Sequence, residues 1–273
     1  MVKKRIIPVI LLRNGLIVQS RLFKRHQLLG TPTAAVERLS NWESDELIYL
    51  DISPSASYDL NRSDLNHPEV NSIEGIIKLV SVKCLMPLTF GGGIRKMEDV
   101  DIRINTGADK VSINTLAIEQ PKFITEAAKK YGSQAIVISM DVKKEEDNAY
   151  AIYKRGKERT DLNPVMFARQ CEDLGAGEIL LNAVHNDGAG QGFDIELINL
   201  IASSVKIPVI AIGGAGKWEH FEEVLEKTNA AAVAAANIFQ HSENSYFNCR
   251  QYLFNKKYPV RKPGQLSSLN QNL

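Results

Sequence analysis

"MPLTFGGGIRKMED" (residues 86–99) and "IPVIAIGGAGKWEH" (residues 207–220) are two copies of one pattern. Each copy is an apolar run that ends in glycines and continues into an amphipathic stretch, as a buried strand, a turn and a helix would. Pro87 matches Pro208, and the offset of 121 residues holds along both copies. A constant offset of nearly half the chain predicts two similar half-structures in tandem.

The same alternation of strand and helix patterns runs through the whole chain. The strand-like runs are continuously apolar, which is typical of a parallel sheet buried on both faces. Eight such β-then-α units in 273 residues predict an α/β protein with a single (β/α)8 TIM barrel and a two-fold half-barrel repeat. An open Rossmann sheet is the alternative, but no G-x-G-x-x-G follows the first strand. The predicted strands are 5–12, 46–52, 87–90, 109–114, 134–141, 178–183, 208–212 and 231–236, and the predicted helices lie near 31–43, 74–84, 97–107, 119–131, 164–175, 194–204, 217–228 and 243–256.

The barrel is predicted to occupy residues 1–261, followed by a flexible C-terminal tail over 262–273. Two segments interrupt the regular pattern. Residues 54–72 are a long polar stretch after the second strand, and residues 142–160 predict a charged hairpin after the fifth. Because both follow strands, both are expected on the face where barrel enzymes build their sites.

Composition excludes several classes of function. A formal net charge of +1 gives no general reason to bind nucleic acid or a membrane surface. No apolar run reaches the roughly 18 residues of a membrane span, and the N-terminus lacks a signal-peptide cleavage site. We therefore predict a cytoplasmic protein. The three cysteines and five histidines show no disulfide, zinc or H-x-x-x-H spacing, so we predict no metal and no cofactor.

Glycine-rich segments follow the third and seventh predicted strands and open the next helices. Gly92 and Gly93 lie in the first segment, and Gly213 and Gly214 in the second. Backbone N–H groups there can approach an anion, and the helix dipole favours its negative charge. The alternative is that these glycines only permit tight turns. Two symmetry-related copies favour phosphate binding at both loops.

Polar residues also end the fourth, sixth and eighth predicted strands. Asn114 and Thr115 follow the fourth strand, and Asn237 follows the eighth. Asp187 and Gly188 lie in the "NDGAGQG" loop after the sixth, where Asp187 could alternatively serve to shape a turn. We predict that these residues bind phosphate or substrate. A diphosphorylated substrate across the barrel mouth is the natural ligand for two anion sites.

Asp141 ends the fifth strand, in "AIVISMDVKK". A carboxylate at the carboxyl end of a barrel strand is a candidate general acid or base. In the half-barrel register its counterpart on the first strand is Leu11, in "IIPVILLRNG", which cannot transfer a proton. Asp51 ends the second strand, and for it a loop-capping role is an equal alternative.

Several motifs resemble the cyclase subunit of imidazole glycerol phosphate synthase, over almost all of residues 1–261: "DELIYLDIS", "PLTFGGGIR", "GADKVSIN", "DGAGQGFD" and "IPVIAIGGAGKWEHF". The resemblance implies a (β/α)8 fold that uses ammonia from a glutaminase subunit to cleave and cyclise a bis-phosphorylated ribulosyl carboxamide ribotide. It also implies an acid–base pair of aspartates at the ends of strands 1 and 5. This chain keeps Asp141 but has Leu11 at the other position, Gln19 for a lysine and Ile212 for a serine.

The resemblance further implies a ring of charged residues that gates ammonia at the far end of the barrel. Asp109 matches an aspartate of the surface on which the glutaminase docks. The alternative for these charges is a salt-bridged barrel base. The gate positions match Arg5, Glu46, Lys110 and Glu178.

This chain keeps the residues of the ammonia gate and of the glutaminase docking surface, but it lacks the acid–base aspartate of strand 1. This combination predicts a barrel that receives ammonia but transfers it to a different acceptor. Cyclase-like paralogues of acetamidino-sugar modification fit this description. With a glutaminase and a third amidotransferase protein, they are thought to convert an acetamido group of a surface-polysaccharide sugar to an acetamidino group. A true cyclase in which another residue, for example Asp51, replaces the missing acid is the second hypothesis. A non-catalytic scaffold that activates the glutaminase is the third.

Overall fold

The computed structural model describes residues 2–21, 25–54, 58, 72–240 and 244–264. Eight parallel strands form a closed ring in the order β1, β4, β5, β6, β7, β10, β11, β12, which confirms the predicted barrel. Each predicted strand is present. The strands are β1 (Arg5–Arg13), β2 (Leu16–Arg21), β3 (Arg25–Gly30), β4 (Leu47–Asp51), β5 (Leu88–Gly91), β6 (Lys110–Ile113), β7 (Ile136–Lys144), β8 (Tyr150–Lys154), β9 (Glu158–Arg159), β10 (Glu178–Ala183), β11 (Val209–Ile212) and β12 (Ala232–Ala235).

A helix is present at each predicted position. Some of them begin at side-chain caps that satisfy free backbone N–H groups: Ser72 accepts from the Gly75 N–H, and Asp194 accepts from the Leu197 N–H. None of the helices in the described residues is long and apolar enough to cross a membrane. The helices are α1 (Pro32–Asn41), α2 (Ile73–Lys83), α3 (Met97–Thr106), α4 (Thr115–Glu119), α5 (Lys122–Tyr131), α6 (Pro164–Asp173), α7 (Ile195–Ala202), α8 (Trp218–Lys227) and α9 (Ser245–Asn255).

The barrel strands separate two apolar cores because successive side chains point to opposite faces. In β1, Ile6 and Ile10 belong to the outer core between strands and helices, whereas Ile7 and Val9 belong to the core inside the barrel. The inner core is closed toward the carboxyl ends of the strands by Leu11, Leu50 and Ala236. Its buried members are Ile7, Val9, Ile48, Val137, Leu180, Ile210, Ile212, Ala232 and Ala234.

The half-barrel repeat is visible in the backbone. Strands β5 and β11 lie opposite each other in the ring, four positions apart. The glycines that follow them adopt similar left-handed conformations, with φ of 91° at Gly92 and 97° at Gly213. The N-caps of the helices that come next also match, with φ of −157° at Lys96 and −153° at Lys217. The two copies of the sequence pattern therefore fold in the same way.

A hairpin that the sequence reading did not predict follows the first strand. Strand β2 pairs antiparallel with β1, with Arg13 opposite Leu16, and β3 pairs with β2. The two-residue turn is Asn14 and Gly15, with φ of 50° and 78°. An Asn-Gly pair between apolar runs is the strongest short-range signal for such a turn, so the sequence did contain the information.

The predicted charged hairpin after the fifth strand is confirmed. β7 continues past the barrel to Lys144 and pairs antiparallel with β8, which pairs with β9. Most of the polar 54–72 segment and residues 265–273 of the predicted tail lie outside the described residues.

Candidate active site

Asp141 lies inside the barrel mouth, where β7 places its side chain on the same face as Val137. Only 6% of the residue is exposed. The Nδ2 of Asn182, opposite it on β10, donates to Asp141 Oδ1 at 3.1 Å. The Nδ2 of Asn114 donates to Oδ2 at 3.2 Å, and the Gly156 N–H from the hairpin after β7 donates as well. Three neutral donors thus fix the carboxyl group.

Two carboxyl groups at this rim titrate close to neutral pH. Burial raises the pKa of Asp141 to about 6, against the opposing effect of its hydrogen bonds from Asn182, Gly156 and Asn114. Burial also raises the pKa of Asp187 to about 7, and the charge of Asp141 adds to the effect. Groups with such pKa values can both donate and accept protons at neutral pH, and perturbed carboxyls of this kind concentrate at functional sites.

The opposite side of the mouth is apolar. Strand β1 lies across the ring from β7. Its interior-facing residue at this level is Leu11, which is paired in register with Leu50 of β4 and packs on the inner core. The barrel therefore offers Asp141 on one side and hydrocarbon on the other.

Asp51 does not supply a second carboxyl group inside the barrel. It is paired in register with Leu12 and follows Leu50, so its side chain points away from the barrel interior. Its Oδ1 accepts from the Ser53 N–H at 2.9 Å, and its Oδ2 accepts from the Tyr58 hydroxyl at 2.7 Å. The structure therefore shows the loop-capping contacts that the sequence left open for Asp51.

The glycine loops after β5 and β11 lie at this same rim. A Cβ on Gly92 would come 2.0 Å from the carbonyl oxygen of Asp51, so glycine is required there for close backbone packing. The N–H groups of Arg95 and Lys96 already donate to the carboxylate of Asp99. These two N–H groups are therefore already engaged within the protein. Phosphate binding at both loops stays a prediction.

The other predicted phosphate ligands reach the same rim, but two of their side-chain amides are engaged in the protein. Asn114 donates to Asp141, as described above. The Nδ2 of Asn237 donates to the carbonyl of Ser20 at 2.8 Å and holds β2 against the end of β12. Thr115 begins α4, and Gly188 has φ of 70° in the loop that follows β10. A role in substrate binding stays a prediction for these residues and for Asp187.

Four charged side chains close the amino end of the barrel. The Arg5 guanidinium contacts Glu46 at 2.5 Å and Glu178 at 2.8 Å. The Lys110 ammonium contacts Glu46 at 3.2 Å and Glu178 at 2.9 Å. Each charge thus touches two of opposite sign, and we call these four residues the charged ring. The sequence-based grouping is confirmed as a spatial cluster, although its role as a gate stays a prediction.

Asp109 precedes Lys110 and is exposed on the same face. Its Oδ2 accepts from the Leu88 N–H at 2.8 Å, and its own N–H donates to the Leu88 carbonyl. It therefore caps the start of β5 while leaving carboxylate surface open to solvent. Its predicted contact with a glutaminase stays a prediction.

A model of the histidine biosynthesis protein family matches residues 5–244. The chain belongs to this family. A protein of Alkaliphilus metalliredigens named imidazole glycerol phosphate synthase subunit HisF is 39% identical over 96% of this chain and 100% of its own length. A protein of the same name from a Hydrogenobaculum species is also 39% identical, with the same coverage. A Vibrio vulnificus protein named "Putative imidazole glycerol phosphate synthase subunit hisF2" is 38% identical over 100% of this chain and 96% of its own.

The sequence reading located Asp141 and also singled out Asn114, although as a ligand of phosphate or substrate rather than as a donor to Asp141. Asn182 was not singled out, although a polar residue at the end of the apolar run "EILL" was a signal. The Gly156 N–H gave no signal, because a backbone donor from a hairpin depends on how the hairpin folds back.

The raised pKa of Asp141 predicts that the folded state becomes less stable as pH rises. The unfolded carboxyl releases its proton near pH 3.9, whereas the folded one keeps it to about pH 6, so the folded state binds more protons between these values. The contribution of Asp141 to the free energy of unfolding should therefore fall across this window by about 3 kcal/mol. Asp141→Asn should lack this part of the decline and keep the part due to Asp187, whose pKa is raised to about 7 mainly by burial. Urea unfolding of both proteins from pH 4 to 8 is the measurement, and parallel curves would contradict the burial of a titrating carboxyl.

Proposed function

We propose that this chain is the ammonia-receiving barrel of a glutamine-dependent complex, and that its acceptor is the acetamido group of a surface-polysaccharide sugar. The observation that carries the proposal is the chemical asymmetry of the barrel opening at the carboxyl ends of the strands. Asp141 lies on one side of this opening, and Leu11 lies on the other. The relatives named as HisF subunits support the family-level part of the proposal.

The barrel interior suits neutral ammonia better than ammonium. Between the charged ring and Asp141, the inner core is lined largely by aliphatic side chains such as Ile7, Ile48 and Leu180. Moving an unpaired cation through such surroundings is costly, whereas neutral ammonia is small and uncharged. A glutaminase partner at the amino face, near Asp109 and the charged ring, would release ammonia at the right end.

The chemistry of an amidine suits a single proton-transfer centre. Ammonia forms a new C–N bond at the acetamido carbon and loses two protons, and the acetamido oxygen leaves as water with those two protons. A carboxyl group with a pKa of about 6 can carry these protons one after the other from the nitrogen to the departing oxygen. Ring closure by a true cyclase needs protons moved at two points of its substrate, and Leu11 cannot serve the second point.

Asp141→Asn, in a complex with its glutaminase, separates the scaffold hypothesis from the two enzyme hypotheses. We expect glutaminase stimulation to survive, because Asp141 lies at the far end of the barrel from the charged ring. Transfer of ¹⁵N from glutamine to the acceptor should fall by at least about 10²-fold, as is typical for the loss of a proton-transfer group. Asp147→Asn, on the exposed turn of the hairpin after β7, is the matched control and should leave both rates unchanged.

Stimulation without any loss of transfer in Asp141→Asn would favour the scaffold hypothesis. If the unmodified protein does not stimulate glutaminase activity, the proposed glutaminase partner is ruled out.

A further inference from the structure

His185 joins two segments at the barrel mouth through both nitrogens of its ring. It follows β10, and its Nδ1 lies 3.2 Å from the backbone nitrogen of Lys144, at the end of β7. Its Nε2 lies 2.9 Å from Oδ2 of Asp194, the residue before α7. Because a backbone N–H can only donate, Nδ1 accepts and Nε2 carries the ring proton that is donated to Asp194. Both ring nitrogens are therefore bonded within the protein.

Asp194 connects three elements of the structure, and its side chain is only 9% exposed. It caps α7 by accepting from the Leu197 N–H at 2.9 Å, and it accepts from the Tyr150 hydroxyl of β8 at 3.0 Å. Burial alone would raise the pKa of Asp194, but the hydrogen bonds from His185, Leu197 and Tyr150 outweigh burial and hold this pKa below its ordinary value. We call His185, Asp194 and Tyr150 the histidine clamp.

The histidine clamp holds the hairpin after β7 in place. Lys144 ends β7 and Tyr150 begins β8, so the clamp contacts both strands of the hairpin. The chain then turns at Arg155 and Gly156, with φ of 54° and 65°, and the Gly156 N–H donates to Asp141. The clamp therefore supports the part of the hairpin that reaches the central carboxyl group.

A further contact between the hairpin and α7 lies in solvent. The Lys144 ammonium contacts Glu196 at 2.8 Å, but the Glu196 side chain is 71% exposed. Exposed ion pairs contribute little to stability. The half-buried clamp is therefore the stronger connection between these segments.

The same clamp holds the loop that carries Asp187, two residues after His185. The Ala189 N–H donates to the carbonyl of Asn186 at 3.1 Å, so the chain turns tightly around Asp187. No described residue donates a hydrogen bond to the Asp187 carboxyl, although the charge of Asp141 acts on it. The position of this carboxyl is therefore set by its loop and not by bonds of its own.

We propose that His185 is the positioning residue of the Asp187 loop: by bonding to the Lys144 N–H and to Asp194 at once, it holds Asp187 at the rim with Asp141. His185 does not exchange protons with a substrate, because both of its ring nitrogens are already engaged. The use of Asp187 as a substrate ligand rests on the proposed function, whereas its placement by His185 does not.

The test is a pH titration of the full-length protein, followed through the ¹³C signals of the aspartate carboxyl carbons by NMR. In the unmodified protein Asp187 should titrate near pH 7, because burial raises its pKa to about 7. His185→Leu has no hydrogen-bonding atom, so the loop should open to water and the Asp187 midpoint should fall by at least about one pH unit. His185→Asn should keep most of the raised midpoint, because its Oδ1 can accept from the Lys144 N–H.

Tyr252→Phe is the matched control. It removes a hydrogen bond between α8 and α9, from the Tyr252 hydroxyl to Glu222, and should leave the Asp187 midpoint unchanged. An unchanged midpoint in His185→Leu would overturn the proposal, as would a fall in His185→Asn that is as large as in His185→Leu. An equal fall in Tyr252→Phe would also overturn it, because the midpoint would then follow overall stability.

A measurement on the unmodified protein covers the case in which His185→Leu does not fold. In mildly alkaline buffer the ring ¹⁵N signals of His185 should show the proton on Nε2, and the Lys144 amide should exchange slowly with solvent. The opposite tautomer, fast exchange at Lys144, or an Asp187 midpoint at about pH 4 would each contradict the clamp. None of these measurements uses a glutaminase or an acceptor, so their outcome is separate from that of the ¹⁵N transfer experiment.

Discussion

The unmodified protein is expected to turn over the cyclase substrate at least about 10²-fold more slowly than an authentic cyclase subunit, even with saturating ammonium salt. The reason is local. General acid–base groups contribute about 10² to 10⁴ in rate, and the barrel has only Leu11 where the second group of the pair is expected. Ammonium salt removes any dependence on a glutaminase, so the assay isolates the barrel chemistry.

Leu11→Asp should raise this trace activity. The substitution places a carboxyl group across the mouth from Asp141, on a strand position that already faces the interior. Leu11→Asn is the matched control, because it has nearly the same shape and polarity but no proton to transfer, and it should give no gain. Gln19 and Ile212 still differ from the pattern of the cyclase subunit, so we expect a partial gain.

Unmodified protein that works at the rate of an authentic cyclase would overturn the acetamidino proposal and favour the second hypothesis. Asp51 would then be an unsuitable replacement acid, since its side chain points out of the barrel and caps the loop after β4. Asp187, with a pKa near 7 at the same rim as Asp141, would be the group to examine.

The barrel could be predicted from the sequence because its information is local and repeated. Continuous apolar runs such as "IPVIAI" define buried parallel strands, and the duplicated glycine pattern fixes the half-barrel register. The same register placed Leu11 opposite Asp141, and the structure confirms that the two strands lie across the ring. The hairpin at Asn14 and Gly15 was missed although its turn signal was present.

The supports of the site depend on contacts between distant segments, which no local pattern encodes. Arg103 is an example of a contact that the sequence could not predict. Its spacing after Val100 places it on the inner stripe of α3, where an apolar residue is usual. That signal marks the position as unusual, yet only the fold reveals that its guanidinium lies behind Gly92. Asn182 is similar, since its amide acquires a purpose only when β10 pairs with β7.

The charged ring should be among the most sensitive parts of the fold. Lys110→Met leaves Glu46 and Glu178, each 7% exposed, with Arg5 as their only remaining partner in the ring. Breaking a buried ion pair from one side typically costs about 3 to 5 kcal/mol, because a charge is left uncompensated. We expect the free energy of unfolding, measured in urea, to fall by an amount in this range.

The double variant Lys110→Met with Glu178→Gln distinguishes two roles for the charged ring. The ring could serve only to stabilise the amino end of the barrel, or it could control the entry of ammonia. The double variant restores charge balance, since one cation and one anion remain, so most of the lost stability should return. If the ring is only a salt-bridged base, this stable variant should yield as much acceptor product per glutamine hydrolysed as the unmodified complex. If the ring controls the entry of ammonia, the yield should drop while glutaminase turnover continues, because ammonia escapes to solvent before it enters the barrel. Recovered stability with an unchanged yield would therefore contradict the gate, and recovered stability with a lowered yield would contradict the purely structural role.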